Sequence, residues 1–207
     1  MSNPDVILSA HNLPAVADYL RSGAVLAYPS ESVWGLGCDA FNTTALKRVI
    51  ALKNRQLDKG LIVLTDNAER LLPLFANVSH ETAKRYIEQI QQQTEHFVAT
   101  HQRAVTWLIE ADLTQLPKEL LGGFATLAVR ITPHPVLQSL CQNLVSKHNP
   151  YGFLVSTSCN LASQPPAQTL LDAYGYFADS VAYLDTDNLG FVQPSCIIEL
   201  ATGKVLR

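Results

Sequence analysis

The sequence predicts an α/β (α+β) fold with a single domain, in which flanking helices cover an open, twisted, mixed sheet. Short apolar runs typical of strands alternate with amphipathic runs typical of helices along the whole chain. The 207 residues are enough for one sizeable core. With 47% hydrophobic and 16% charged residues, the composition is that of an ordinary soluble globular protein.

Capping residues mark where several helices should begin. Asn12 is predicted to cap a helix through LPAVADYLRS that ends at Gly23. Thr43 or Thr44 is predicted to cap ALKRVIALKN, whose apolar residues fall on one face. Ser79 is predicted to begin a polar surface helix, HETAKRYIEQIQQQ. Further helices are predicted in NAERLLPLF, HPVLQSLCQNLVSKH and QTLLDAYGYF.

Short apolar runs between these helices predict the strands. They are AVLAYP, GLIVLT, AVTWLIEA, TLAVRIT, YGFLVSTS and PSCIIEL. A closing hairpin is predicted between PSCIIEL and KVLR, with its turn around Ala201, Thr202 and Gly203. Because strands and helices interleave, the chain should build a mixed sheet.

Targeting and membrane signals are absent from the sequence. The N-terminus lacks the basic region and apolar run of a leader peptide, and no window reaches the 18 apolar residues of a membrane span. The cysteines have neither metal-site nor disulfide spacing; they are Cys38, Cys141, Cys159 and Cys196. We therefore expect a cytoplasmic protein that does not associate with a membrane.

Five of the fifteen basic residues lie between positions 47 and 59. Lys47 and Arg48 are interpreted as surface cations near a helix end that face water. Lys53, Arg55 and Lys59 follow in a loop that leads into the strand GLIVLT, where three cations could converge on one anion. The spacing indicates an oligophosphate as the ligand.

The run LVSTSCNLASQPP places small polar side chains where a strand ends. Ser156, Thr157, Ser158 and Asn160 could contact a ligand, because open α/β sheets bind ligands beyond the carboxyl ends of their strands. Alternatively, Ser158 or Asn160 could cap a helix. The spacing does not decide between these interpretations.

Arg130 lies in the middle of the apolar strand LAVRIT. A buried guanidinium without a partner is very costly, so this arginine should have one. The partner could be an internal carboxylate or the carboxylate of a substrate, and the sequence leaves both possibilities open. His134, between two prolines, is interpreted as a turn residue before a helix rather than a base.

The stretch YPSESVWGLGCDAF contains Gly35, Gly37 and Ala40 at the G-x-G-x-x-A spacing of dinucleotide-binding folds. The context does not fit, because Pro29 ends the strand six residues earlier and no helix opens at the glycines. We expect these glycines to allow a tight turn beneath a ligand.

Five segments in order, YPSESVWGLGCDAF, LKNRQLDKGLIVL, LAVRITPHP, LVSTSCNLAS and PSCIIEL, resemble motifs of the YrdC family. The family patterns are Y-P-T-E-T, K-x-R-x-x-x-K, A-V-R, S-T-S-A-N and P-S-T-I. The resemblance implies one YrdC-like domain over residues 8–207, with no second C-terminal domain. It also implies that the sheet surrounds a positively lined concave cavity.

The resemblance further implies a nucleotidyltransferase that makes L-threonylcarbamoyladenylate and pyrophosphate from L-threonine, bicarbonate and ATP, with Mg²⁺ accompanying ATP. Its product would be used for the threonylcarbamoyladenosine modification next to the tRNA anticodon. The implied partners are downstream tRNA threonylcarbamoyltransferase proteins.

The family motifs assign site residues in this sequence. The implied ATP-binding residues are Lys53, Arg55, Lys59, Ser156, Ser158, Asn160 and Arg207. The implied threonine-binding residues are Ser30, Thr106, Arg130 and Ser195. Catalysis by Lys53 and Arg55 is implied to consist of positioning and charge neutralisation. No residue is assigned as a metal ligand.

The chain departs from the family at HQRAVT, residues 101–106, where most members carry W-P-G-P-x-T. A rigid turn is replaced by helix-compatible residues, which leaves the role of Thr106 open. Arg103 is interpreted as a surface residue, with an added site cation as the alternative.

A noncatalytic RNA-binding module of the same fold is the alternative function. The cationic run favours it, whereas the net charge of −3 and the lack of interleaved aromatic residues argue against it.

Overall fold

The computed structural model describes residues 6–56, 58–110 and 112–207. Two residues of the predicted features lie outside the described residues. They are Leu57, among the basic residues between positions 47 and 59, and Ala111, at the end of the predicted strand AVTWLIEA. The α-helices of the described ranges are α1 (Leu13–Arg21), α2 (Thr43–Leu52), α3 (His80–His101), α4 (Lys118–Leu121), α5 (Pro135–Leu144) and α6 (Leu170–Phe177). Segments Ala68–Phe75 and Ala178–Ser180 are 3₁₀ helices.

The described strands form a nine-stranded mixed sheet, which confirms the predicted fold class. They are β1 (Ile7–Ser9), β2 (Leu26–Pro29), β3 (Trp34–Gly37), β4 (Ile62–Thr65), β5 (Val105–Ile109), β6 (Leu127–Ile131), β7 (Leu154–Ser158), β8 (Ala182–Asp185) and β9 (Cys196–Glu199). Their order is β1-β8-β2-β3-β7-β4-β6-β5-β9. Parallel pairs such as β4–β6 lie beside antiparallel pairs such as β4–β7.

Alternating side chains of the central strands enter two separate cores. On β2, Leu26 and Tyr28 pack in the cluster that also buries Leu20 of α1 and Leu140 of α5. Ala27 points to the opposite face, into the larger cluster that contains residues of α2 and α3. The sheet is therefore covered on both faces, as its apolar strands predict.

Helix caps were predicted well, with one correction. Asn12 and Ser79 cap α1 and α3 as expected. The cap of α2 is Asn42, whose Oδ1 accepts from the backbone N–H of Ala45, and the helix already includes Thr43. The prediction of Thr43 or Thr44 was wrong because the preceding asparagine is an equally good cap.

The predicted turn at Gly35 and Gly37 was also wrong, because both glycines lie in β3. Tyr28 pairs with Gly35 across the two strands, and its hydroxyl donates to the carbonyl oxygen of Val155 at 2.8 Å. A Cβ at Gly35 would lie 2.8 Å from the tyrosine ring, and one at Gly37 would lie 1.7 Å from that same carbonyl oxygen. The glycines leave room for an aromatic ring on the sheet.

The closing hairpin is confirmed. Ile198 bridges Val205 in an antiparallel pair, and Gly203 has a positive φ of 70° in the turn between them. The four cysteines are buried and free, in line with their interpretation as scattered apolar residues. Within the described ranges, no helix has both the length and the apolar character needed to cross a membrane.

Candidate active site

A cleft of about 560 Å³ lies beside the loop after β2, strands β6 and β7, and the segment before β9. Its charged and polar lining includes Ser30, Glu31, Arg55, Arg130, Ser156, Thr157, Ser158, Gln193, Ser195 and Arg207. Three arginines face a single acid, Glu31, among the described lining residues. The cleft is therefore positively lined, as expected from the sequence.

A second pocket, of about 410 Å³, adjoins this cleft. Its lining includes Lys53, Arg55, Lys59, Ser158 and Asn160. Arg55 and Ser158 line both cavities, so the two are neighbours with these side chains between them. The structure thus brings the predicted phosphate-binding residues together.

Lys53 is buried, and its ammonium is surrounded by protein acceptors. Its Nζ donates to the carbonyl oxygen of Ser158, and to the carbonyl oxygen and Oδ1 of Asn160 at 2.8 Å each. Three acceptors require three N–H donors, which only the protonated amine provides. Burial lowers the pKa of Lys53 to about 8. The hydrogen bonds of Lys53 therefore connect the chain after α2 to the end of β7.

Further hydrogen bonds show the role of the polar residues at the end of β7. The Ser158 hydroxyl donates to Asn160 Oδ1 at 2.7 Å, and the Asn160 amide donates to the carbonyl oxygen of Gln164. No helix begins here within the described residues, since α6 starts at Leu170. The helix-cap interpretation was wrong, and the polar side chains instead shape the wall of both cavities.

The basic run divides into two groups. Arg55 Nη2 donates to the Gly60 carbonyl oxygen at 2.8 Å, while Lys59 is exposed at the second pocket. Lys47 lies 3.7 Å from Glu119, and Arg48 donates to a backbone carbonyl near α6. These last two residues are surface cations, as interpreted, but they lie in the middle of α2 rather than near its end, and they do not line either cavity.

Arg130 has the internal carboxylate partner that the sequence left as one of two possibilities. Its Nη1 donates to Glu31 Oε2 at 2.7 Å, and both side chains are largely buried. Its Nε donates to Thr106 Oγ1 at 3.3 Å, and its Nη2 donates to Ser195 Oγ at 3.1 Å. Three contacts fix the guanidinium at the cleft wall. Within the described residues, two of its five N–H groups remain unused.

Ser195 lies between two guanidinium groups. Its Oγ accepts from Arg130 and from Arg207 Nη2 at 3.3 Å, and it shares a 2.9 Å hydrogen bond with the Thr106 hydroxyl. Burial lowers the pKa of Arg207, and the nearby positive charges of Arg130 and Arg103 lower it further. Such mutual repulsion is relieved when an anion binds.

Two of the implied threonine-binding residues have only partly the expected placement. Thr106 is fully buried and lies behind Arg130 and Ser195, outside the cleft lining. Ser30 lines the cleft, but its hydroxyl donates to the Val33 carbonyl oxygen at 2.7 Å. The structure thus gives Thr106 a supporting position and uses the Ser30 hydroxyl to hold the loop after β2.

Residues 186–195, here called the crossing segment, connect β8 to β9 without helix or strand. Because β8 and β9 lie near opposite ends of the sheet order, the segment passes across the cleft. The backbone N–H groups of Leu189 and Phe191 donate to the carbonyl oxygens of Ser30 and Glu31, at 3.3 and 2.9 Å. The segment is thereby attached to the opposite wall.

Arg103 attaches the other end of the crossing segment. Its Nε donates to the Pro194 carbonyl oxygen at 2.8 Å. Helix α3 continues to His101, and Gln102 then turns the chain with a φ of 45°. The departure from the family turn therefore creates a helix end and an arginine that holds the cleft rim, rather than an unattached surface residue.

Sequence reasoning missed Glu31 and the crossing segment. Glu31 lies inside the quoted motif YPSESV, next to the predicted Ser30, but a single acid among polar residues gave no signal of its own. Only the folded sheet shows that it faces Arg130, which is 99 residues away in the sequence.

Comparisons with known proteins identify the family of this chain. The Sua5/YciO/YrdC family model, described as telomere recombination, matches residues 18–207. The chain belongs to the Sua5/YciO/YrdC family. The family resemblance inferred from the five motifs is thereby confirmed.

Other members of the Sua5/YciO/YrdC family are similar over most of this chain. A threonylcarbamoyl-AMP synthase of Moraxella catarrhalis is 56% identical over 207 residues, which is all of both chains. One of Psychrobacter arcticus is 39% identical, covering 92% of this chain and 93% of the relative. P. abyssi Sua5 complexed with L-threonine has a TM-score of 0.76 at 21% identity. That match covers 98% of this chain and 57% of the Sua5 chain.

Proposed function

We propose that this chain is an L-threonylcarbamoyl-AMP synthase, a nucleotidyltransferase that makes threonylcarbamoyladenylate and pyrophosphate from L-threonine, bicarbonate and ATP. One observation carries the proposal: the motif residues converge on one positively lined cleft with an adjoining cationic pocket. The full-length relative with 56% identity, itself named threonylcarbamoyl-AMP synthase, supports the same activity. The product would pass to tRNA threonylcarbamoyltransferase proteins in the cytoplasm.

The cleft suits a reaction between two anions. Threonine's amine first reacts with bicarbonate, giving a carbamate and water. A carbamate oxygen then forms a bond to the α-phosphorus of ATP, while the bond from that phosphorus to the bridging oxygen breaks and pyrophosphate leaves with the electron pair. Arg130 and Arg207 on one side and Arg55 on the other would neutralise the approaching charges. A protein nucleophile is not required.

Mg²⁺, bound together with the phosphates of ATP, would supply positive charge beside the leaving pyrophosphate. Across the described residues, no group of three or more His, Cys, Asp or Glu side chains is placed to hold a metal ion. The cleft acid Glu31 is already engaged by Arg130 and Thr132. This donor set fits an ion held mainly by substrate phosphates and water, which is the usual mode for Mg²⁺ with nucleotides.

Incubation with L-threonine, bicarbonate, ATP and Mg²⁺ tests the proposed reaction. We expect mass spectrometry to detect threonylcarbamoyl-AMP together with released pyrophosphate. Omitting threonine or bicarbonate should abolish the product. Strong, salt-sensitive tRNA binding without any adenylate would contradict the proposal and favour the noncatalytic RNA-binding alternative.

Lys53 predicts how the activity depends on pH. Because its pKa is about 8, the ammonium that holds Ser158 and Asn160 is present at pH 7 and loses its proton as the pH rises above 8. We expect kcat/KM for ATP, followed by pyrophosphate release, to fall on that alkaline side. In Lys53→Arg, whose side chain stays charged, the fall should move to higher pH even if the rate at pH 7 is lower. An unchanged alkaline fall would show that another group causes it.

Arg55 is expected to be the principal phosphate contact shared by the two cavities. Arg55→Ala should lower kcat/KM for ATP by about tenfold to a hundredfold, because charge-assisted hydrogen bonds contribute about 1.5–3 kcal/mol. Arg48→Ala removes an exposed arginine of the same run that lies outside both cavities, and it should leave the activity unchanged. Equal losses in both variants would point to general surface charge instead.

A further inference from the structure

The last residues of the crossing segment, 192–195, form the part of the cleft wall that leads into β9. The first three of them are exposed, and Val192 keeps 94% of its surface open to solvent. Within the described residues, the hydrogen bonds to the backbone of this stretch come from two side chains, those of Arg103 and Arg207. This part of the wall therefore depends on arginines for its attachment.

Arg103 reaches this stretch from the turn between α3 and β5. Its Nε donates to the Pro194 carbonyl oxygen at 2.8 Å. The neighbouring Ala104 carbonyl oxygen accepts from the Cys196 backbone N–H, also at 2.8 Å. Because these two bonds lie on either side of Ser195 in the sequence, they fix the position of that residue.

Ser195 in turn holds Arg207. Nε of Arg207 donates to the Ser195 carbonyl oxygen at 3.3 Å, and Nη2 donates to the Ser195 hydroxyl at 3.3 Å. Arg103 and Arg207 thus bind consecutive residues of the crossing segment. The position of the Arg207 guanidinium in the cleft consequently depends on where Arg103 holds Pro194.

Position 103 is one at which this chain departs from its family pattern. The pattern W-P-G-P-x-T, aligned with residues 101–106, has glycine there. Glycine has no side chain that could reach Pro194, so the arginine adds a contact that the pattern lacks. Within the described residues, no carboxylate forms an ion pair with Arg103, so the Pro194 carbonyl is its recorded hydrogen-bond partner.

We infer that Arg103 is a positioning residue, which fixes the end of the crossing segment through its Nε–H and thereby orients the Arg207 guanidinium toward a phosphate group in the cleft. Arg103 itself is not among the described lining residues, so its effect passes through Ser195 and Arg207. This inference rests on the proposed function, because the family motifs assign Arg207 to ATP. The hydrogen bond, rather than the charge of Arg103, is the cause of the effect.

Two neutral substitutions separate the hydrogen bond from the charge. Glutamine carries an amide N–H on the same side-chain atom at which arginine has Nε, whereas methionine has a similar length and no donor. We expect kcat/KM for ATP, followed by pyrophosphate release, to fall by about tenfold in Arg103→Met, because a hydrogen bond that orients a cleft cation is lost. In Arg103→Gln the fall should be less than about threefold.

Hydrogen exchange followed by mass spectrometry gives a second readout that does not require activity. The backbone N–H groups of Phe191 and Cys196 donate to carbonyl oxygens on either side of the exposed stretch. Arg103→Met should accelerate exchange in peptides that cover residues 189–196 by at least about threefold, because local opening becomes easier. Arg103→Gln should leave this exchange close to that of the unmodified chain.

Two further variants complete the experiment. Arg85→Met removes an exposed arginine of α3 that lines neither cavity, and it should change neither readout. Arg207→Met supplies the background for a double-mutant cycle. Adding Arg103→Met to that background should lower kcat/KM for ATP by less than about a further twofold, since the two residues act through one contact.

Several results would overturn the role of Arg103. Equal losses of kcat/KM in Arg103→Met and Arg103→Gln would show that charge, and not the hydrogen bond, is responsible. Unchanged exchange in Arg103→Met would show that the segment does not need this attachment. Fully additive losses in the double variant would show that the effect does not pass through Arg207. If the unmodified chain made no threonylcarbamoyl-AMP, the proposed function would be contradicted, while hydrogen exchange would still decide whether Arg103 fixes the segment.

Discussion

Replacing Arg130 with methionine is expected to lower the free energy of unfolding by about 3–5 kcal/mol, because it leaves the Glu31 carboxylate buried without its cation. Urea denaturation measures this loss. The same substitution should abolish measurable threonine binding, since the family motifs assign Arg130 to the threonine site. The variant therefore tests the fold and the site at once.

The double variant Glu31→Gln/Arg130→Met provides the control for the stability effect. A neutral glutamine no longer needs a cation, so the double variant should recover at least half of the lost stability while still failing to bind threonine. A single Arg130→Met variant that loses less than about 1 kcal/mol would show that water reaches Glu31 and compensates it.

Gly37→Ala is expected to be the most damaging substitution that adds only a methyl group. The new Cβ would lie 1.7 Å from the Val155 carbonyl oxygen, and backbone atoms in a central sheet cannot move aside cheaply. We expect a loss of at least about 4 kcal/mol in thermal or urea unfolding, or failure to accumulate as folded protein.

Gly175→Ala is the matched control for that experiment. Gly175 lies in α6, and nothing stands within 4 Å of the Cβ that it would gain. Because alanine is the better helix former, the variant should gain about 0.5–1 kcal/mol. If Gly37→Ala behaved like Gly175→Ala, the close packing of β3 on β7 would be disproved.

Local signals in the sequence were enough to predict most helices and the longer strands. Asn12, Ser79 and the apolar runs each depend on neighbours a few residues away, and those are visible in the sequence. Strand β3 was missed because WGLG is half glycine, and the Tyr28 ring that lies against both glycines comes from the adjacent strand. Such cross-strand packing carries no local signal.

In the candidate site, too, some features were predictable from the sequence and others depend on the fold. Most of the residues that the family motifs assign line two adjoining cavities, but their detailed contacts depend on distant partners. Arg130 could not be assigned a partner until Glu31 lay beside it, and Lys53 was expected at a phosphate although its donors reach Ser158 and Asn160. Charge and residue type predict that a ligand site exists, whereas the hydrogen-bond directions come only from the fold.

The crossing segment and strand β9 lie near the end of the sequence, which determines when the cleft can form during synthesis. Ser195 meets Thr106 at a sequence separation of 89, and Arg130 meets Glu31 at a separation of 99. Contacts of such high sequence separation form late in folding, because the long loops between them must close first. During synthesis the ribosome must deliver β9 before the cleft wall that contains Ser195 and Arg207 can exist. A nascent chain can therefore pair β2 with β3 early, whereas the central strand β7 follows much later and the candidate site is complete only once β9 has emerged.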